Sequence, residues 1–197
     1  MSSIEEDTKG GFNSFLEDQR DEEGDATVTL YDFNTNVDLV YEEYPVVDAP
    51  KLDSDTYTPS GRTALHDAIY RAVTETAEQI NATEPAEQPD NVIVVVLTDG
   101  KENASETHQE RVREQVEVRR EEHGWEFLFI GANQDAALTA ENMGMDADRS
   151  LNMAHSGEGT QAAYESTSEQ IREARQTGQT SGYSEADRER QKDARDD

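Results

Sequence analysis

The clearest residues that could do chemistry follow a short apolar run. Residues 91–97 read Asn-Val-Ile-Val-Val-Val-Leu, and Thr98-Asp99-Gly100 comes directly after them. Asp99 is therefore expected where a buried central strand meets solvent, and Gly100 lets the backbone turn sharply there. Thr98 and Asp99 offer hard oxygen atoms, which suit Mg²⁺, Mn²⁺ or Ca²⁺. An ordinary Asp-Gly turn explains the dipeptide equally well.

A second candidate lies in the loop that precedes a helical pattern. Residues 58–65 read Thr-Pro-Ser-Gly-Arg-Thr-Ala-Leu, and Thr63 stands where the helix is predicted to begin. The hydroxyl of Thr63 is available either to cap the helix or to bind an ion. Considered locally, the capping role is the more common one.

The elements that would position these residues alternate between strands and helices. Helices are predicted over 4–19, from Thr63 onward, and over about 107–122, 134–142 and 159–175; strands are predicted over 26–33, 37–44, 91–97 and 125–130. The first two strands should form an antiparallel hairpin. This order predicts an α/β fold, a three-layer α/β/α arrangement whose open sheet is mostly parallel with one antiparallel edge hairpin strand. Ligands of such sheets bind beyond the carboxyl ends of the strands, where Asp99 is expected.

Length and composition favour one domain followed by a tail. The chain has 197 residues, and we expect a domain over 1–175 and a disordered acidic, polar tail over 176–197, where apolar residues are almost absent. The chain has no Cys, which excludes disulfides, Cys zinc sites and thiol catalysis. Without an apolar run of about 18 residues or a signal peptide, it is expected to be cytoplasmic and to contact no membrane.

The net charge is extreme and negative. There are 45 acidic against 17 basic residues, a formal net charge of −28. Such self-repulsion disfavours a compact state in dilute buffer, whereas about 1 M salt shortens the Debye length to roughly 3 Å. The composition resembles that of proteins from halophilic cells such as haloarchaea, which predicts a high-salt cytoplasm. An acidic interaction protein or a disordered solvating chain is the alternative. The charge argues against nucleic-acid binding.

Two motifs, taken together, resemble a protein family. Gly61-Arg62-Thr63-Ala64-Leu65 with the following helix, and Val94-Val95-Val96-Leu97-Thr98-Asp99-Gly100, occur in the order found in von Willebrand factor type A domains. The order of elements is similar over about 1–145. The resemblance implies a metal-ion-dependent adhesion site with Thr63 and Asp99 as ligands of Mg²⁺, or of Mn²⁺ or Ca²⁺. It implies an interaction module rather than an enzyme, in which a partner protein supplies a carboxylate to the metal.

The first part of that family site has no counterpart in this sequence. Family members carry Asp-x-Ser-x-Ser after a first strand, but no such motif precedes the first predicted helix. Residues 1–4, Met-Ser-Ser-Ile, correspond to positions after the motif. We therefore expect the first central strand to be missing, through a late-assigned start codon or a truncation, and metal binding to be weak or absent.

The missing strand also has an energetic consequence. Five or six buried side chains would contribute about 8–15 kcal/mol, which is comparable to the net stability of about 5–15 kcal/mol of a whole domain. The chain should therefore be marginally stable, unless strand 26–33 shifts to pair with strand 91–97.

Two other functional classes stay open. Asp99 could serve a Mg²⁺-dependent hydrolase or phosphotransferase, whose second carboxylate would come from Asp32, Asp53 or Asp55. The other alternative is a metal-free interaction scaffold. No residue is singled out as catalytic.

The histidines are weak candidates in the sequence. His66 follows Thr63 closely and is predicted, with Asp67, to form a solvated pair. His108, His123 and His155 have no metal-ligand spacing.

Overall fold

The fold is a mixed α/β arrangement of helices and two small sheets. A computed structural model describes residues 4–54, 56–57, 61–133 and 135–196. In chain order the elements are α1 (Glu5–Arg20), β1 (Thr27–Phe33), β2 (Val37–Pro45), α2 (Leu65–Ala82), β3 (Ile93–Thr98), α3 (Gln109–His123), β4 (Glu126–Ala132), α4 (Ala136–Asn142), β5 (Ser150–Met153), α5 (Gly157–Thr177) and α6 (Glu185–Asp196). No helix in the described ranges is long and apolar enough to cross a membrane.

The five strands of the described ranges form one antiparallel pair and one parallel sheet. β1 and β2 pair antiparallel, which confirms the predicted hairpin, and Asn34 donates its N–H to the carbonyl of Asn36 in the turn at 2.9 Å. β3, β4 and β5 form a parallel sheet with β4 in the middle. Among the described residues β1 pairs with β2 but not with β3, so strand 26–33 does not shift onto strand 91–97, the exception considered to the expected marginal stability.

β4 is the most deeply buried strand. Its alternate side chains enter two different apolar clusters, since successive residues of a strand point to opposite faces. Phe127 and Phe129 pack with residues of α2 and α3, whereas Leu128 and Ile130 pack with residues of β5 and α5. Burial on both faces explains why this strand is a continuous apolar run.

β3 is less buried than its sequence predicts. The valine-rich run is typical of a central strand, but β3 lies at the edge of the parallel sheet, and the side chain of Val95 is 40% exposed. Val94 and Val96 still pack against the cluster of α2 and α3, and Leu97 packs against that of β5 and α5. The exposure of Val95 follows from the lack of a strand on that side of β3 among the described residues.

The hairpin packs against α1 and the loop that follows β2. Phe12, Leu16 and Tyr41 belong to this third apolar cluster. Phe15 of α1 joins both this cluster and that of β5 and α5, while Phe33 of β1 packs against the cluster of α2 and α3. α1 and α2 therefore connect the two sheets.

The C-terminal segment differs from its prediction. The sequence predicts a disordered tail over 176–197, but residues 185–196 form α6, which packs on α5 and β5. Gln191 is buried, accepts from the N–H of Ala154 at 2.8 Å and donates to the carbonyl of Gly159 at 2.9 Å. Because these attachments are largely polar, a segment with few apolar residues was predicted to be disordered although it forms a packed helix.

Candidate functional site

The loops after the three parallel strands meet at one edge of the sheet. β3, β4 and β5 run parallel with paired ends, so their carboxyl ends lie side by side. Asp99 follows β3, Asn133 follows β4, and His155 lies two residues after β5. This is the edge where parallel α/β sheets bind ligands.

Asp99 contacts the loop after β4 and the loop after β5. Its carboxylate Oδ2 lies 3.4 Å from Nε2 of His155, and the two side chains are 18% and 34% exposed. The backbone carbonyl of Asp99 accepts a hydrogen bond from Nδ2 of Asn133 at 3.3 Å. Asn133 has φ of 57°, a left-handed conformation that Asn adopts more readily than most residues. We call Thr63, Asp99, Asn133 and His155 the strand-end site.

Thr63 approaches this site from the loop before α2. A Cβ atom added to Gly100 would overlap the hydroxyl of Thr63, so that hydroxyl lies directly against the Cα of Gly100. The N-cap position of α2 is Ala64 and has no side-chain cap. Thr63 therefore does not play the capping role that is common for such a residue, and its side chain lies beside the residue that follows Asp99.

Asn103 fixes the backbone of Thr63. The N–H of Thr63 donates to Oδ1 of Asn103, and the N–H of Asn103 donates to the carbonyl of Thr63, both at 3.0 Å. The next residue, Ala64, donates its N–H to the carbonyl of Asn34 in the hairpin turn at 2.7 Å. Thr63 is thus held from two sides.

Glu102 locks the loop after β3 onto the start of α2. Its Oε1 accepts from the N–H groups of Ala104 and Ser105, both at 2.8 Å, and its Oε2 accepts from the N–H of His66 at 2.9 Å and from the Ser105 hydroxyl at 2.7 Å. Burial raises the pKa of Glu102, but the hydrogen bonds from Ser105, His66 and Ala104 together outweigh it and leave the pKa below its usual value.

Asp67 makes a second connection between the same two segments. Its carboxylate accepts from the N–H of Thr107 at 2.8 Å and from the N–H of Glu106 at 3.0 Å. Burial raises the pKa of Asp67, while the hydrogen bonds from Thr107 and Glu106 and the nearby His66 lower it to a net value below the usual one. We call Glu102, Asp67 and Ser105 the loop clamp. Asp67 is therefore a structural residue here and more than a solvated neighbour of His66.

The other carboxylates named from the sequence lie elsewhere. Asp32 is on β1 in register with Asp38 of β2, and burial raises its pKa. Asp53 accepts from the N–H and the hydroxyl of Thr56 within its own turn. Asp55 lies outside the described residues.

The donor atoms of the strand-end site suit a cation only in part. Asp99 offers a carboxylate, Thr63 a hydroxyl and His155 an imidazole, which are all known metal ligands. The described ranges contain no cluster of three or more His, Cys, Asp or Glu side chains able to hold a metal. A cation here would therefore need water or a partner to complete its coordination.

Sequence reasoning named Thr63 and Asp99 but missed the residues around them. Asn133 and His155 carry the same signal as Asp99, because each follows a parallel strand. β5 was not predicted, so His155 had no strand end to which it could be assigned. Asn103 stands in the polar loop after β3, and its spacing from Thr63 carries no recognisable pattern.

No protein-family model matches the chain, and no relative was found among curated proteins. The features that bear on function are therefore the two sequence motifs and the geometry of the strand-end site.

Proposed function

We propose that this chain is a protein-interaction module of the von Willebrand factor type A kind, which binds a carboxylate of a partner protein through a divalent cation. The observation that carries the proposal is the contact of the Thr63 hydroxyl with Gly100, directly after Asp99. The two residues that the family resemblance names as ligands come from separate loops. Their segments meet at the carboxyl end of β3.

The charge balance of the site favours a carboxylate as the partner group. One carboxylate and one neutral hydroxyl leave a divalent cation with residual positive charge. Asp99 would anchor the cation directly or through water, and Thr63 would contribute its hydroxyl. Asn133 and Asn103 would hold the two ligand loops through their hydrogen bonds at 3.3 Å and 3.0 Å. Mg²⁺ would retain water or partner oxygen atoms at its other positions.

The finer architecture belongs to the same proposal. We infer a three-layer α/β/α arrangement in which β1 and β3 flank the position of one further strand. Two contacts support it: Phe15 of α1 packs against both the hairpin cluster and that of β5 and α5, and Phe33 of β1 packs against the cluster of α2 and α3. β1 and β3 each have one edge with no strand partner among the described residues.

The net charge of −28 sets the conditions for partner binding. A partner that offers a carboxylate would be repelled by this surface at low salt. About 1 M salt screens most of that repulsion, whereas the short-range bond to the cation is less affected. Partner binding through the cation should therefore persist or strengthen in high salt, as expected in halophilic cells.

The test is the substitution Asp99→Ala with calorimetry of Mg²⁺ and Mn²⁺ in about 1 M KCl. Loss of the anchoring carboxylate should lower the affinity for the cation by about 100-fold, because even the loss of an outer-shell partner of a metal site lowers metal affinity by roughly 10–100-fold. The thermal midpoint should hardly change. Asp90→Ala is the matched control, since it removes one exposed carboxylate at the other end of β3.

Three results would argue against the proposal. Equal Mg²⁺ affinity in Asp99→Ala and Asp90→Ala would contradict a role of Asp99 in the site. An absence of Mg²⁺ and Mn²⁺ binding to the unaltered chain would favour the metal-free scaffold. Phosphate release from a substrate panel that depends on Asp99 would favour the hydrolase.

A further inference from the structure

His155 is held firmly beside Asp99. It follows β5 and directly precedes Ser156, the N-cap residue of α5, whose side chain accepts from the N–H of Gly159 at 3.0 Å and donates to the carbonyl of Ala194 at 3.0 Å. On its other side, the N–H of Ala154 donates to Gln191 at 2.8 Å. Both neighbours of His155 are thus bound to α6, so the backbone on either side of the imidazole is attached to that helix.

The spacing of the two side chains matches that of adjacent metal ligands. Nε2 of His155 and Oδ2 of Asp99 are 3.4 Å apart. Two ligands that each lie about 2.0–2.2 Å from a tetrahedral zinc ion are about 3.3–3.6 Å from one another. We propose that His155 and Asp99 form a chelating pair for a divalent transition-metal ion such as Zn²⁺ or Co²⁺. This inference rests on the proposed cation site and specifies which cation it prefers.

The chemistry of the two ligand groups determines which cations the pair should prefer. Imidazole nitrogen suits Zn²⁺, Co²⁺ and other late first-row ions, whereas Mg²⁺ prefers oxygen ligands in octahedral geometry. The pair also stays accessible, since its side chains are 18% and 34% exposed. Water, the Thr63 hydroxyl or a partner carboxylate can therefore occupy the other positions. The expected order of affinity is Zn²⁺ above Co²⁺, then Mn²⁺, then Mg²⁺.

The chain contains a second histidine–carboxylate pair that serves as a matched control. Nδ1 of His66 lies 4.0 Å from Oε2 of Glu102. Both oxygen atoms of Glu102 already accept hydrogen bonds from the N–H groups of His66, Ala104 and Ser105 and from the Ser105 hydroxyl. This carboxylate is committed to the loop, and metal binding there would break those bonds.

The experiment titrates the metal-stripped full chain with Co²⁺ in about 1 M KCl at about pH 8, where an ordinary imidazole is neutral. Visible absorption reports the coordination of Co²⁺, and competition with Zn²⁺ gives the zinc affinity. His155→Ala should lower the affinities for Co²⁺ and Zn²⁺ by at least about 100-fold, because the loss of an outer-shell partner alone lowers metal affinity by roughly 10–100-fold. His66→Ala should leave the affinities for Co²⁺, Zn²⁺ and Mg²⁺ unchanged. Circular dichroism checks that each variant is folded.

The results separate this inference from the proposed function. Equal Co²⁺ affinity and an equal Co²⁺ spectrum in the unaltered chain and His155→Ala would overturn the chelating pair. Tighter metal binding in His155→Ala would also overturn it, because His155 would then be an ion-pair partner that competes with the cation. In both cases Mg²⁺ binding that depends on Asp99 would still support the proposed function. Co²⁺ binding that needs His155 and not Asp99 would also overturn the chelating pair, whereas Mg²⁺ binding that does not depend on Asp99 would contradict the proposed function.

Discussion

Two histidine–carboxylate pairs in the described residues involve the loop after β3, one at the strand end and one against the start of α2. Glu102, beside His66, accepts four hydrogen bonds from its own loop and from the start of α2. Asp99 lies three residues earlier in sequence, at the strand end, with its carboxylate 3.4 Å from His155. Exposure does not separate them, since the side chains of Asp99 and Glu102 are 18% and 23% exposed. Backbone N–H donors commit Glu102 to structure.

Hydrogen bonds of Asn103 connect the loop clamp to the strand-end site. The loop clamp fixes the segment that contains Asn103, and Asn103 in turn holds the backbone of Thr63 through two hydrogen bonds of 3.0 Å. A site built on separate loops needs such support, because small displacements of ligand groups weaken binding. The comparison therefore predicts that changes in the clamp reduce stability first, whereas changes at the strand-end site reduce metal binding first.

The largest effect on stability is expected from Glu102→Ala. The substitution leaves three N–H groups and the Ser105 hydroxyl without their acceptor. Lost caps contribute about 0.5–2 kcal/mol and hydrogen bonds to charged groups about 1.5–3 kcal/mol, so we expect a decrease of about 3 kcal/mol in the free energy of unfolding. Urea denaturation in high salt measures it.

The control for this prediction is Glu106→Ala in the same loop. Glu106 is exposed, and it is held through its N–H by Asp67. Its substitution should change the free energy of unfolding by less than about 0.5 kcal/mol. If Glu102→Ala and Glu106→Ala were equally stable, Glu102 would have no special role in the loop.

The mixed α/β fold was predictable because its inner elements have clear apolar patterns. β4 and α2 lie within a few residues of their predicted bounds, since burial of both faces of β4 and one face of α2 imposes the pattern directly. β5 was missed because it has only four residues, Ser-Leu-Asn-Met, and two of them are polar. α6 was missed because its attachments include polar side chains such as Asp187 and Gln191.

The site was predictable only where the chain contains a local signal. Asp99 follows an apolar run, and Thr63 begins a helical pattern, so both could be named. His155 was set aside because no ligand motif surrounds it, but its contact with Asp99 arises because β3 and β5, which lie on either side of β4, end at the same edge of the parallel sheet. Such contacts depend on strand order, which the sequence pattern did not specify for β5.

The next prediction tests the contact between Thr63 and Gly100. A methyl group in Gly100→Ala would overlap the Thr63 hydroxyl. Overpacking of this kind usually costs about 1–3 kcal/mol, so we expect a loss of about 2 kcal/mol together with weaker Mg²⁺ binding. Gly10→Ala is the control, and it should raise stability rather than lower it, because nothing lies within 4 Å of an added Cβ there. It should stabilise α1 by about 0.5–1 kcal/mol.

A double substitution sharpens this result. Thr63→Ala combined with Gly100→Ala removes the overlapping hydroxyl and should recover most of the lost stability. It should not recover Mg²⁺ affinity, because the Thr63 ligand is then absent. Strictly additive losses of stability would show that the two side chains do not interact.

The next prediction concerns the pH dependence of stability that the hydrogen-bonded carboxylate of Asp187 should cause. Burial raises its pKa, but hydrogen bonds from Ser184, Ser166 and Arg190 lower it to about 2. Since the folded pKa lies below the ordinary value near 4, this carboxylate stabilises the fold above about pH 4. That contribution, about 2 kcal/mol, is lost as the pH falls toward 2. Urea denaturation at several pH values should show a smaller loss between pH 5 and 3 for Asp187→Asn, and identical pH profiles would contradict the assignment.

The smallest effect is expected from Asn103→Ala, which connects the two regions. The substitution removes the acceptor of the Thr63 N–H but keeps the bond from the Asn103 N–H to the Thr63 carbonyl. One lost hydrogen bond corresponds to about 1 kcal/mol of stability. Mg²⁺ affinity should fall by several-fold, because fewer bonds then hold Thr63 in place. Those that remain are the bond from the Asn103 N–H and, at the next residue, the bond from the Ala64 N–H to Asn34 in the hairpin turn. Asn81→Ala, at an exposed position of α2, is the control. If Asn103→Ala lost stability but bound Mg²⁺ normally, the connection between the clamp's loop and Thr63 would not matter for the strand-end site, and the two regions would act independently.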